Sequence, residues 1–200
     1  ITVISTCLRV LEMETGKQKW IDKAQAQTEK LTALVNALVT LSRMDEGVSP
    51  LKMEPFPLSE AVADTAEPFR DLAQSKGHDL VLDIAPELTY KGDEYAIRQL
   101  VSILLDNAVK YARAGSAITL TLEKTRRGIT LRCRNGSDPI PEDTLAKLFD
   151  RFYRADPSRN AATGGFGIGL SIARGIAEAH KGSICARMVG EEVEFAAELR

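Results

Sequence analysis

The sequence predicts an α+β protein: a helical hairpin followed by an α/β sandwich whose sheet is covered by helices on one face. Three observations predict it. Residues 1–46 contain no proline and repeat apolar side chains at spacings near three and four. Beyond residue 58, helical periods are interleaved with short runs of period two. The later runs of period two come in neighbouring pairs, which favours antiparallel strands. With 200 residues, 44% of them hydrophobic, the chain is long enough to bury a core and still carry a helical arm.

Each element follows in order. Ile4, Cys7, Leu8 and Leu11 stand at i, i+3, i+4 and i+7, which predicts a helix that Gly16 interrupts. The pattern resumes from Lys17 to Met44, with Ala24, Leu31, Leu34, Leu38 and Leu41 on a bundle seam whose remaining position is Gln27. A single hairpin leaves this stripe wet. A second copy would cover it as a four-helix bundle, so a homodimer through residues 1–46 is expected; packing against the neighbouring domain is the alternative. Gly47-Val48-Ser49-Pro50, Pro55 and Pro57 mark 47–57 as a linker or edge strand, and residues 58–200 as the second domain. Ser59-Glu60 opens a helix reaching Lys76-Gly77, with Val62, Ala66, Phe69 and Leu72 on one face. Leu80 to Ile84 reads as a strand, and Asp93 caps a helix running to about Ala112. Ile118–Leu122 and Ile129–Cys133 form a hairpin around Arg126-Arg127-Gly128. A helix from Pro141 to about Arg154, a small and polar loop at 155–164, a helix from Gly169 to His180, and strands at Ser183–Met188 and Val193–Leu199 complete the chain.

Composition narrows the function. The 26 basic and 28 acidic side chains nearly cancel, leaving a formal charge of −2 and no electrostatic case for nucleic acid as partner. Cys7, Cys133 and Cys185 are odd in number, widely spaced and without a C-x-x-C, which argues against a disulfide framework or a zinc ribbon and for a reducing compartment. No apolar run approaches the roughly 18 residues of a membrane span. The opening Ile1-Thr2-Val3-Ile4 has no initiator Met and no signal-peptide pattern, so the chain is expected to be part of a longer polypeptide.

Three stretches could carry chemistry. Asn107 and Lys110 project together from the long helix, where a carboxamide oxygen can ligate Mg²⁺ and an ammonium can neutralise phosphate. Asn135-Gly136-Ser137-Asp138-Pro139-Ile140-Pro141 follows a strand, where backbone can approach a flat ligand and a polar side chain can read its edge. Gly164-Gly165-Phe166-Gly167-Ile168-Gly169-Leu170 leads into a helix, and its N–H groups and dipole suit an anion. No Gly-Lys-Ser/Thr follows, so it is not a P-loop; its last glycine comes too early for a dinucleotide fingerprint. Singly, Asn107 reads better as a solvated helix face and the 135–141 segment at least as well as an ordinary strand-to-helix turn, while a glycine run before a helix is moderately specific for phosphate.

Taken in this order, the three resemble the ATP-binding domain of sensor histidine kinases. The Asn107-Ala108-Val109-Lys110-Tyr111 segment, the 148–154 segment Leu-Phe-Asp-Arg-Phe-Tyr-Arg and the glycine loop match that family's N, F and glycine boxes, and Ile1–Glu46 is similar to its dimerisation and phosphotransfer hairpin. The resemblance implies a Bergerat-type sandwich with a mixed sheet, ATP and Mg²⁺ as cofactors, and a response-regulator receiver domain as partner. It implies a cytoplasmic location, below an inner- or plasma-membrane sensor reached only through upstream segments. Asn107 would ligate the metal, Lys110 and Tyr111 would lie along the nucleotide, and Asn135 would accept the adenine amino group in place of the commoner Asp. Gly165, Gly167 and Gly169 would supply phosphate-side backbone, Arg154 or Arg151 would reach the terminal phosphate, and Ser137, Ile140, Phe149 and Leu170 would complete the pocket. Residues 155–164 would form a lid.

Two departures stand out. Ile103 replaces the family's other metal-side Asn, and Ser137 and Pro139 replace two glycines of the turn after Asn135. The resemblance sets the accepting histidine about six residues before Ile1. His78 and His180 read as structural, the latter at a helix C-terminus whose dipole favours an imidazolium. The 200 residues are therefore expected to bind ATP without phosphorylating themselves. An ATP-hydrolysing relative of the gyrase, mismatch-repair or chaperone type would need a Glu base at the Ile103 position, which is absent. A degenerate dimeric scaffold is the non-enzymatic alternative.

Overall fold

The computed structural model describes residues 1–15, 20–28, 31–32, 35, 51–126, 128–154 and 166–200. The chain divides into two compact units, Ile1–Ser49 and Pro50–Arg200.

In the first unit, α1 (Thr2–Thr15) is followed by helical residues at 20–28, 31–32 and 35. Gln25 Nε2 donates to Glu12 Oε2 at 2.9 Å and ties the later stretch back to α1. Val3, Ile4, Val10, Leu11 and Met13 of α1 are exposed, as are Trp20, Leu31 and Val35. The Gly16 break and the seam positions Leu34, Leu38 and Leu41 lie outside the described residues.

The second unit begins at Pro50 and takes in all but the first three residues of the 47–57 segment read as a linker or edge strand. There β1 (Glu54–Pro57) pairs antiparallel with β3 (Thr89–Gly92), a four-residue strand too short to announce itself by period. The single helix expected from Ser59 to Gly77 is two helices, α2 (Leu58–Ala66) and α3 (Pro68–Ser75). Pro68 lacks the N–H that would reach back to Asp64 and instead serves as the first residue of α3. The break shifts the helical phase: Val62, Ala66 and Ala73 are buried, whereas Leu72 is exposed.

The main sheet has five strands in the order β2-β4-β5-β7-β6: β2 (Leu80–Ile84), β4 (Ile118–Thr125), β5 (Gly128–Gly136), β7 (Glu192–Leu199) and β6 (Ser183–Val189). β2 runs parallel to β4 and every other pairing is antiparallel, so the sheet is mixed, as expected. Period two writes its two faces. Leu80 pairs with Ile118, Ile118 with Asn135, Leu120 with Cys133, and Cys133 with Phe195, placing these side chains in one inward row after another. Against that face pack α4 (Glu94–Tyr111), through Ile97, Leu100, Val101, Leu104, Leu105 and Ala108, and α6 (Gly169–Ala179), through Ile172, Ala173 and Ile176. Burial pushes the Cys133 thiol up to about 12.

The opposite face is polar. Arg132 pairs with Glu123 at 2.7 Å, while the fully buried Glu194 carboxylate is bonded by both Arg134 and Arg187. Burial alone would raise the Glu194 pKa; the two guanidinium hydrogen bonds and charges outweigh it and hold the carboxyl below its ordinary range.

Asp93 caps α4 as expected, its Oδ1 accepting from the Ala96 N–H at 3.0 Å. The Asp93 N–H in turn donates to His180 Nε2 at 3.0 Å, and His180 Nδ1 faces the Ile176 carbonyl at 2.8 Å. A backbone N–H can only donate, so Nε2 is the acceptor and the ring is neutral, with its proton on Nδ1. The imidazolium expected from the helix dipole is thereby corrected: a fully buried ring with one donor and one acceptor partner has no place for a second proton. The helix expected from Pro141 to Arg154 also shortens, to α5 (Glu142–Lys147). Phe149 turns into the core, and Phe152 takes a left-handed φ of 64° with its N–H bonded to the Gly167 carbonyl at 2.8 Å, a conformation no helix can contain.

Candidate functional site

A cavity of about 770 Å³ opens between α4, the end of β5 and the start of α6. From α4 it receives Ile103, Asp106, Asn107, Lys110 and Tyr111, brought to one side by the i, i+3, i+4 spacing while the buried stripe holds the helix on the sheet. From the β5 exit come Asn135, Ser137 and Ile140, and from the glycine loop and α6 come Gly167, Gly169 and Leu170. Arg154 stands on the same wall. Stretches separated by up to about sixty residues thus share one enclosure.

Two expected residues stand off the lining. Phe149 lies one layer behind the wall, packed edge-on against Phe195 at 6.3 Å, and Phe195 itself lines the cavity. Arg151 is not on the lining, although Tyr153 and Arg154 of the same turn are. Gly165 and the expected lid, 155–164, lie outside the described residues.

Asn135 is the most informative position. It is 1% exposed; its Nδ2 donates to the Gly136 carbonyl at 3.0 Å, and its Oδ1 is a buried acceptor with no partner among the described residues. A buried carbonyl oxygen left unpaired costs about 1–3 kcal/mol, so an amino group supplied from the cavity would recover that. Gly136 is required beside it, since a Cβ there would stand 2.6 Å from Ser116 Cβ.

The glycine loop is joined to the 148–154 turn. Gly167 has φ +70°, and a Cβ on it would lie 2.7 Å from the Tyr153 carbonyl oxygen, so only glycine permits the Phe152–Gly167 hydrogen bond. Gly169 differs: a Cβ there would meet Ile103 at an ordinary 3.5 Å. Lys110 Nζ forms an ion pair with Asp106 Oδ2 at 2.5 Å along the helix, so its charge is already directed to the cavity rim.

The cavity also holds residues that the sequence reading did not name. Asp106 was accessible from its i, i+4 relation to Lys110, and Val193 and Phe195 from the inward period of β7. Asp138 and Tyr153 fall inside two of the quoted stretches, Thr144 stands on α5, and Arg113 carried no local signal, because a loop brings it there.

For a divalent cation, the donor set is an Asn107 carboxamide with an Asp106 carboxylate beside it. Among the described residues no group of three or more His, Cys, Asp or Glu could hold a metal unaided. A carboxamide and a carboxylate are the hard oxygen donors that Mg²⁺ takes, one or two at a time, completing its shell with phosphate and water.

Comparison with known proteins gives a consistent picture. Residues 92–200 match the family model described as histidine kinase-, DNA gyrase B-, and HSP90-like ATPase. Sensor protein DltS of Streptococcus agalactiae is 31% identical over 199 residues, covering 100% of this chain and 50% of that protein. The signal transduction histidine-protein kinase BaeS of Escherichia coli is 35% identical over 162 residues, covering 81% and 35%. The chain therefore spans half or less of the length of these relatives. In fold, it is similar to histidine kinase ThkA solved in complex with the response regulator protein TrrA, with a TM-score of 0.72, 21% identity, and 99% and 56% coverage.

Proposed function

The chain belongs to the histidine kinase-, DNA gyrase B-, and HSP90-like ATPase family, and from that membership we propose that it moves the γ-phosphoryl group of ATP to a histidine of a two-component sensor kinase, for relay to a response-regulator aspartate. The observation that carries this reading is the meeting of Asn107, Lys110, Asn135 and the Gly167–Gly169 backbone in one cavity.

Asn135 Oδ1 is the adenine acceptor, its amide turned by Gly136 so that only the carbonyl oxygen faces the ligand. The N-terminus of α6 and the glycine backbone receive phosphate. Lys110 leaves Asp106 for phosphate, and Arg154 serves the terminal phosphoryl group. Asn107 and Asp106 would hold Mg²⁺, which would supply neutralising charge to the triphosphate. The protein's contribution is position and charge, since a loose phosphoryl-transfer transition state requires little covalent help. The acceptor is a histidine outside these 200 residues, because both of those within are enclosed: His78 is 6% exposed and bonded to the Ser116 carbonyl, and His180 is fully buried.

The exposed apolar stripe of α1 supports dimerisation through residues 1–46. A response-regulator receiver domain is the proposed partner, as in the ThkA–TrrA complex. Among the described residues no helix is long and apolar enough to cross a membrane, and we place the chain on the cytoplasmic side of a membrane sensor. A scaffold without nucleotide draws no support from this cavity.

Two measurements test the proposal. Lys110→Ala should weaken Mg²⁺-ATP binding roughly tenfold by titration calorimetry; an unchanged affinity removes Lys110 from the site. The 200-residue chain, given γ-labelled ATP, should take no label, and acid-labile label on His78 or His180 would refute the outside acceptor.

A further inference from the structure

We propose that Arg113 is a further nucleotide-binding residue, whose guanidinium lies against the base rather than the phosphates and is held there by Glu191. The inference rests on the ATP reading above and goes beyond it by adding a residue outside the matched motifs.

Arg113 lines the cavity from the loop after α4. Its main chain is fixed on both sides: its N–H donates to the Gly136 carbonyl at 2.8 Å, and its own carbonyl accepts from the Ser116 N–H at 3.0 Å across a tight turn containing Gly115 at φ +73°. The partner carbonyl belongs to the residue after Asn135, so the Arg113 backbone is anchored at the end of the cavity where the adenine acceptor stands. Gly169 and the start of α6, which would take phosphate, come from a different element on the cavity wall.

The side chain is directed as well. Arg113 Nη2 bonds Glu191 Oε2 at 2.7 Å, and the Glu191 carbonyl accepts from the Ser137 N–H at 3.0 Å. The tip of the β6–β7 hairpin, the β5 exit and the α4–β4 loop are therefore joined at one rim, with the Arg113 guanidinium between them. The hydrogen bond and charge of Glu191, with Asp138 adding its charge, raise the Arg113 pKa above its ordinary value, so the group remains a cation throughout. A planar cation at the rim beside the adenine acceptor offers stacking on the π-face of the base, which a lysine ammonium would not reproduce.

The test uses the full 200-residue chain and displacement of a fluorescent ATP analogue by ATP, ADP and AMP. Arg113→Ala should weaken all three by the same factor, roughly three- to tenfold, with the melting temperature unchanged because the side chain is half exposed. Arg113→Lys should recover little of the loss. Glu191→Gln should weaken binding less than Arg113→Ala and add almost nothing to it in the double variant, as a positioning residue must. Wild-type affinity in Arg113→Ala overturns the inference, and so does a loss that grows with the number of phosphates. Failure of the unsubstituted chain to bind any of the three overturns the ATP reading and this inference together.

Discussion

At Asn135 the two ends of one carboxamide do different work: Nδ2 is committed to the Gly136 carbonyl at 3.0 Å, and Oδ1 is presented unpaired. Asp, the commoner residue in the family that the sequence resembles, could accept from adenine equally well but would set an anionic oxygen against that carbonyl. Asn135→Asp should therefore cost about 1–3 kcal/mol of stability by urea unfolding, even though it restores the familiar residue. A variant as stable as the parent would show that Gly136 does not orient the amide. The two histidines teach the same lesson of local partners. A helix C-terminus argues for charge on His180, yet a single N–H from Asp93 decides for the neutral ring.

Among the elements, the outer face of the sheet stands on an unusual centre. Glu194 is fully buried between Arg134 and Arg187, and the two arginines themselves remain 37% and 59% exposed. Solvent screening of the cations reduces what the triad is worth, so Glu194→Gln should cost about 2–3 kcal/mol, below the range for a wholly buried pair. The sign with pH follows from the depressed carboxyl. Its stabilisation is present above the unfolded carboxylate range and lost as pH falls through the lower folded value. The difference in melting temperature between the parent and Glu194→Gln should be greatest near neutrality and close on acidification; a constant difference would deny the ionic contribution. Helix ends were the least legible elements. Pro68 divides α2 from α3 although the apolar period continues through it, and α5 stops at Lys147 because Phe152 is required in a left-handed turn against Gly167.

For the whole molecule, the division at residues 49 and 50 makes a further prediction. Residues 50–200 alone should unfold cooperatively and retain ATP affinity, whereas sedimentation should show a dimer for the 200-residue chain and a monomer for the shorter one. A shorter chain that fails to fold would show that the first unit is part of the core. The sequence by itself determined the class, the alternation of both sheet faces, the capped long helix, and the order of the three stretches that make the cavity. Those are properties of local period and local chemistry, and they survive without knowledge of distant neighbours. The tertiary structure alone decided that β3 pairs with β1, that Phe149 stands behind the wall, and that Arg113 stands on it. A loop residue has no period to declare its direction. Only the packing of the elements at its two ends determines where its side chain points, and that packing is a property of the whole chain.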